Sequence, residues 1–101
     1  MDHPSVAILG AGAMGTALAG GLLRAGWRPE DLVLVARREE RAREVEDQTG
    51  VGASLDPAAA LVGRDVIVVA VKPADVPHLI GQIGPVVEPG QVVVSLSLIH
   101  I

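Results

Sequence analysis

The ten residues Val6-Ala7-Ile8-Leu9-Gly10-Ala11-Gly12-Ala13-Met14-Gly15 constrain this chain more than any other stretch. Four apolar residues in succession suit a strand buried on both faces, and they run directly into a glycine. From Ala13 to Ala25 the pattern turns helical, with Met14, Leu18 and Leu22 expected on one buried face. Ala17, Gly20 and Gly21 are small enough to let that helix lie close to a sheet. The spacing Gly10-x-Gly12-x-x-Gly15 therefore sits between a strand and a helix, the context that makes it informative.

The rest of the chain repeats that alternation. Leu32 to Val35 and Val66 to Val71 read as strands, as does Gln91 to Leu96, with Gly50 to Ala53 at most a short edge strand. Arg37 to Gln48 is charge-rich and reads as a solvated helix, with Glu39 and Arg43 at pairing distance and Ala42 and Val45 facing inward. Asp56-Pro57 fits a cap followed by a first-turn proline, opening a brief helix through Leu61 and Val62. Val76, Leu79, Ile80 and Ile83 mark a further amphipathic helix. Strands alternating with helices predict an α/β fold, a Rossmann-like doubly wound parallel sheet of about five strands in three α/β/α layers.

Composition narrows the partners. Among 101 residues half are hydrophobic, yet Trp27 is the only aromatic, so the core must be Val, Leu, Ile and Ala. A net charge of −4 with no basic stripe makes nucleic acid an unexpected partner. The absence of cysteine excludes thiolate chemistry and fits a cytoplasmic protein. The uncharged run from Ser5 to Leu23 is long enough to suggest a membrane span, but its glycines argue for soluble strand, turn and helix. No His, Asp or Glu cluster has metal-ligand spacing. His3 is expected at a frayed terminus, His78 in solvent, and Asp65 as a cap or turn residue.

Each glycine of the motif has a task if the turn holds a dinucleotide. Gly10 makes the turn, Gly12 lets the backbone approach a pyrophosphate, and Gly15 permits close helix–strand packing. The free N–H groups and dipole at the helix start then favour phosphate. An NAD site places a carboxylate at the end of the second strand, whereas this chain has Ala36-Arg37-Arg38. Two guanidinium groups suit the 2′-phosphate of NADP, so NADP is expected over NAD. The alternative is that both arginines open a solvated helix and pair with Glu39 to Glu46. Lys72, after Val71 and before Pro73, either lines the nicotinamide half of the cleft or is an ordinary strand exit.

These residues resemble the amino-terminal domain of pyrroline-5-carboxylate reductases. GAGAMGTALAGGLL at 10–23, DVIVVAVKP at 65–73 and VVVSL at 92–96 carry the resemblance, the VKP step being the most discriminating. The resemblance implies hydride transfer from NAD(P)H to a cyclic imine, giving proline. It implies that Gly10, Gly12, Ala13, Met14 and Gly15 cradle the pyrophosphate, and that Ala36 and Arg37 meet the adenosine phosphate. Ala70, Val71, Lys72 and Pro73 would line the cofactor cleft. Asp56 stands where the family often has Asn. The family continues into a helical domain that builds the dimer and most of the substrate site, so the catalytic acid is expected outside this chain and turnover is not expected from it alone. Residues 1–96 are expected to be the dinucleotide-binding domain and 97–101 a foreign tail, because LSLIHI is what CTGTCTCTTATACACATC encodes, a string that resembles a transposase adapter. The uncharged run VVVSLSLIHI at 92–101 would then make the fifth strand an aggregation-prone sheet edge. Other Rossmann reductases remain alternatives, among them coenzyme F420-dependent NADP oxidoreductases and hydroxyacid dehydrogenases, as does a non-catalytic dinucleotide-binding module.

Overall fold

A computed structural model describes residues 3–96. The expected tail at 97–101 lies outside the described residues. Five strands form one sheet: β1 (Val6–Leu9), β2 (Leu32–Val35), β3 (Ala53–Ser54), β4 (Val66–Val69) and β5 (Val92–Ser95). Their order is β3-β2-β1-β4-β5 and every pairing is parallel. Val6 faces Leu32 on one side and Val66 on the other, which puts the glycine-bearing strand at the centre.

Among the described residues four α-helices cover the sheet: α1 (Ala13–Arg24), α2 (Glu39–Thr49), α3 (Pro57–Leu61) and α4 (Val76–Ile83). Because side chains alternate along each strand, β1 divides itself between two cores. Val6 and Ile8 join Ala19 of α1 and Ala42 and Val45 of α2 in one cluster. Ala7 and Leu9 join Ala60 and Leu61 of α3 and Leu79 and Ile83 of α4 in the other. The three expected layers are therefore present, with α1 and α2 on one face and α3 and α4 on the opposite one. Every residue of β1 is buried, as an uninterrupted apolar run requires.

Local expectations hold where short-range chemistry decides them. Asp56 Oδ1 accepts from the N–H groups of Ala58 and Ala59 at 3.0 and 3.3 Å, capping α3. Arg43 Nη2 donates to Glu39 Oε1 at 2.6 Å along α2. Asp65, expected as a cap or turn residue, instead makes a long-range tie: its Oδ2 accepts from the Ser5 N–H at 2.9 Å, 60 residues away, and joins the entry of β4 to the entry of β1.

Five details differ. The fully buried positions of α1 are Gly15 and Ala19, with Leu18 and Leu22 packed partly buried against the same core, while Met14 is 48% exposed and Ala17 faces solvent. The close approach to the sheet falls at Gly15, where an added Cβ would collide with the Gly10 carbonyl oxygen and lie 3.4 Å from Ile8 Cγ2. A Cβ at Gly20 or Gly21 would meet only the flexible end of Arg24, so those glycines are not the contact points. On α4, Ile80 is exposed and Leu79 and Ile83 carry the packing. Helix α2 begins at Glu39, which leaves Arg37 and Arg38 ahead of it, Arg38 in extended backbone. His3 is not frayed: its ring stacks on Trp27 at 4.0 Å, and Trp27 Nε1 donates to the Pro4 carbonyl at 3.0 Å.

Candidate dinucleotide cleft

In a parallel sheet every strand points its carboxyl end the same way, so the exits of β1, β2 and β4 converge on one edge. Hydrogen bonds hold those exits in step. The Gly10 N–H donates to Val35 O at 3.1 Å, and the Ala70 N–H donates to Leu9 O at 2.9 Å. Strand β4 stops two residues short of the expected Val71, and that shorter strand leaves Val71 and Lys72 free to turn along the edge.

A cleft of about 510 Å³ opens there, at the point where the sheet's winding reverses between β1 and β4. Gly10, Ala11 and Gly12 form its floor, Ala36, Arg37 and Arg38 one lip, and Ala70, Val71 and Lys72 the other. The floor is glycine for a steric reason. Gly10 has φ of +127°, and a Cβ on it would lie 2.5 Å from the Ala70 carbonyl oxygen. At Gly12 an added Cβ would meet nothing within 4 Å, so the space above the turn is open.

Gly12 also caps α1, and no side chain satisfies that helix start. The Thr16 hydroxyl instead donates back to the Gly12 carbonyl at 2.8 Å. Helix geometry leaves the N–H groups of Gly12, Ala13, Met14 and Gly15 without intrahelical acceptors, a ready seat for an anion. Ala13 and Met14 are exposed and Gly15 is buried, and none of the three lines the cleft through its side. Pro73 opens a 3₁₀ turn (Pro73–Asp75) just outside the lining.

The arginine lip is electropositive but not idle. Arg37 Nη1 reaches across the cleft to Asp75 Oδ2 at 3.3 Å, rather than pairing with the acidic residues of α2. An exposed pair of this kind is worth about 0–1 kcal/mol and gives way readily to a better anion. No group of three His, Cys, Asp or Glu side chains among the described residues is placed to hold a metal ion. No helix of the described residues is long and apolar enough to cross a membrane.

A glycine-floored cleft at the carboxyl edge, with guanidinium groups at the end of β2, is a feature of sequence as well as of shape. Residues 5–98 match the model of the family described as NADP oxidoreductase coenzyme F420-dependent. The chain belongs to this family. Among curated relatives, it is 41% identical over 78 residues to pyrroline-5-carboxylate reductase of Mycobacterium leprae, covering 77% of this chain and 26% of that protein. It is 30% identical over 97 residues to pyrroline-5-carboxylate reductase 1 of Bacillus subtilis, covering 94% of this chain and 33% of that one. A solved pyrroline-5-carboxylate reductase from Coxiella burnetii superposes with a TM-score of 0.85 at 22% identity, over 92% of this chain and 35% of that one, which establishes the shared fold. The chain thus spans a third or less of the length of the curated relatives it matches here.

The sequence pattern assigns no cleft role to several residues that line the cleft. Asp75, His78, Leu79 and Gln82 all line the cleft from α4 and its lead-in, and their spacing of three, four and seven residues is the signature of one helix face. His78 is exposed, as expected, but on the cleft side. Arg41 stands four residues after Arg37 and lines the cleft from α2. Its Nε donates to the Ala11 carbonyl at 2.7 Å, a bond spanning 30 residues of sequence that no local pattern announces.

Proposed function

We propose that this chain is the NADP(H)-binding domain of a pyrroline-5-carboxylate reductase, residues 1–96 forming the dinucleotide-binding unit. In the parent enzyme a cyclic imine, 1-pyrroline-5-carboxylate, takes a hydride and a proton to become proline, the last step of proline biosynthesis. The observation that carries the cofactor half of this reading is the end of β2. Ala36, Arg37 and Arg38 stand where an NAD site would carry an acid, and Arg37 and Arg38 face the cleft. The 41% identity to the M. leprae relative over 78 residues supports the substrate half.

The residues fit the dinucleotide. The open space over Gly12 and the uncapped start of α1 form a cradle that a Cβ or a capping side chain would fill. Arg37 and Arg38 hold the 2′-phosphate, Arg37 exchanging Asp75 for a doubly charged partner. The N–H groups of Gly12 to Gly15 donate to the pyrophosphate. Leu9, Val35 and Val71 give the cleft apolar walls that exclude water from the rings. When bound, NADPH supplies the hydride from its nicotinamide ring. Val71 and Lys72 line that end of the cleft with Ala70, and Pro73 turns the chain away from it.

The acid that protonates the imine nitrogen belongs to the remainder of the parent enzyme, so this chain alone has no turnover. The parent is a cytoplasmic homo-oligomer assembled through a domain beyond this one, with a small-molecule substrate and no nucleic-acid partner. A second reading, hydride exchange between NADP and coenzyme F420, is favoured by the family match itself.

Two measurements test this. Titration of NADPH and NADH into the chain is expected to show tighter binding of NADPH, with Arg37→Ala lowering NADPH affinity roughly tenfold and leaving NADH unchanged. Tighter NADH binding, indifferent to Arg37→Ala, refutes the cofactor assignment. The parent enzyme is expected to oxidise NADPH on addition of 1-pyrroline-5-carboxylate and to ignore coenzyme F420. The opposite pattern replaces the first reading with the second.

A further inference from the structure

Beyond the arginines of the lip, the cleft contains one whose contacts are of a different kind. Arg41 is 34% exposed in its side chain, less than half the exposure of Arg37 at 78%. Its Nε is committed to the Ala11 carbonyl oxygen at 2.7 Å, and its Nη1 stands 3.8 Å from Glu44 Oε2. The guanidinium is therefore anchored at one end to the glycine turn and partly neutralised at the other by its own helix.

The acceptor matters more than the bond. Ala11 is the middle residue of Gly10-Ala11-Gly12, and its carbonyl belongs to the same peptide plane as the Gly12 N–H. In a trans peptide the carbonyl and the amide hydrogen point in opposite directions, so a donor that holds one aims the other. No cis peptide is present among the described residues. By drawing the Ala11 oxygen towards α2, Arg41 fixes the direction of the Gly12 N–H, the outermost free donor at the start of α1. Gly12 has no Cβ to resist rotation of that plane, and nothing lies within 4 Å of where one would be. The restraint must come from elsewhere, and Arg41 is the side chain that provides it.

We infer that Arg41 is a positioning residue for the pyrophosphate seat, acting through the Ala11–Gly12 peptide rather than as a third clamp on the 2′-phosphate. The inference rests on the dinucleotide reading above and adds a specific division of labour. Arg37 and Arg38 decide which dinucleotide binds. Arg41 decides how well any dinucleotide binds.

The test compares Arg41→Met and Arg41→Lys with the unmodified chain, using NADPH, NADH and adenosine 2′-monophosphate, a fragment with the 2′-phosphate but neither phosphate of the bridge. Arg41→Met, which has no donor, is expected to weaken NADPH and NADH alike, by roughly fivefold, the worth of one hydrogen bond, and to leave adenosine 2′-monophosphate within twofold. Arg41→Lys, which keeps a donor, recovers part of the loss. Independently of any nucleotide, the Gly12 amide resonance is expected to shift and its hydrogen exchange to accelerate in Arg41→Met. A loss confined to NADPH and adenosine 2′-monophosphate makes Arg41 a phosphate clamp and overturns the inference. So does an unchanged Gly12 amide in Arg41→Met, or in Arg41→Ala should Arg41→Met not fold. Failure of the unmodified chain to bind either dinucleotide refutes the cofactor reading itself, and a Gly12 amide that still answers to Arg41 then leaves only the structural coupling standing.

Discussion

Replacing Gly15 by alanine adds one methyl group at the tightest point in the molecule. The new Cβ would collide with the carbonyl oxygen of Gly10, stand 3.0 Å from its carbonyl carbon and touch Ile8 Cγ2 at 3.4 Å. The atoms struck first are backbone, belonging to a turn that is itself pinned by Gly10 N–H to Val35 O and by its closeness to Ala70. Overpacking costs about 1–3 kcal/mol, and a clash with fixed backbone belongs at the upper end. Alanine returns up to about 1 kcal/mol of helix propensity, leaving a net loss of about 2 kcal/mol. For a domain of this size that lowers the melting temperature by about 8–16 °C. The matched control is Gly21→Ala on the same helix, where the nearest atom to a new Cβ is Arg24 Nη2 at 4.0 Å. It is expected to be neutral or to gain up to about 1 kcal/mol. Thermal melts followed by far-ultraviolet circular dichroism read both variants. A Gly15→Ala protein as stable as Gly21→Ala would show that α1 can slide away from the turn at little cost, and the steric account of the third motif glycine would fall.

Three further outcomes are open to direct measurement. Asp56→Ala removes the side chain that caps α3 and is expected to cost about 1 kcal/mol in urea denaturation, whereas Asp56→Asn retains most of the cap. The Arg28 guanidinium, chiefly through its side-chain hydrogen bonds, holds the Asp31 carboxyl below its ordinary value of 3.8. A depressed carboxyl contributes its stability in full above the unfolded value and loses it as pH falls through the folded one, so the stability gap between the unmodified chain and Arg28→Ala is expected to close below that ordinary value. A gap that persists unchanged into stronger acid contradicts the pairing. Strand β5 presents Val92, Val93 and Val94 exposed on a sheet edge, and Val93→Lys is expected to reduce light scattering of the concentrated chain without lowering its melting temperature.

The comparison of sequence with structure separates two kinds of information. The apolar run Val6–Leu9 into Gly10, the cap at Asp56 and the Glu39–Arg43 pair depend on neighbours within a few residues, and each is present as its local pattern implies. Which face of α1 is buried could not be read the same way. Hydropathy favours Met14, Leu18 and Leu22, and Leu18 and Leu22 do pack, partly buried, against the core, but the fully buried positions are Gly15 and Ala19 and Met14 turns outward. Helix α2 starts two residues after the charge-rich pattern at Arg37 suggests, because arginine tolerates both helix and extended backbone. The bonds of Arg41 to Ala11 and Arg37 to Asp75 span 30 and 38 residues. They are consequences of the strand order, and nothing in either residue's neighbourhood encodes them.

That order also sets a timetable for a chain emerging from the ribosome. Strand β1 is synthesised first, and its pairing with β2 closes a loop from Val6 to Leu32. Its other edge stays open until β4 arrives, because Val6 pairs next with Val66. Loop closure over the longer span costs only about 0.7 kcal/mol more, so the delay is imposed by translation rather than by entropy. Until Ala70 is made, the glycine turn lacks the carbonyl wall that Gly10 is shaped to meet. A nascent chain that ends before the Val71-Lys72 lip therefore carries the whole Gly10-Ala11-Gly12 motif and still has no place to put a dinucleotide.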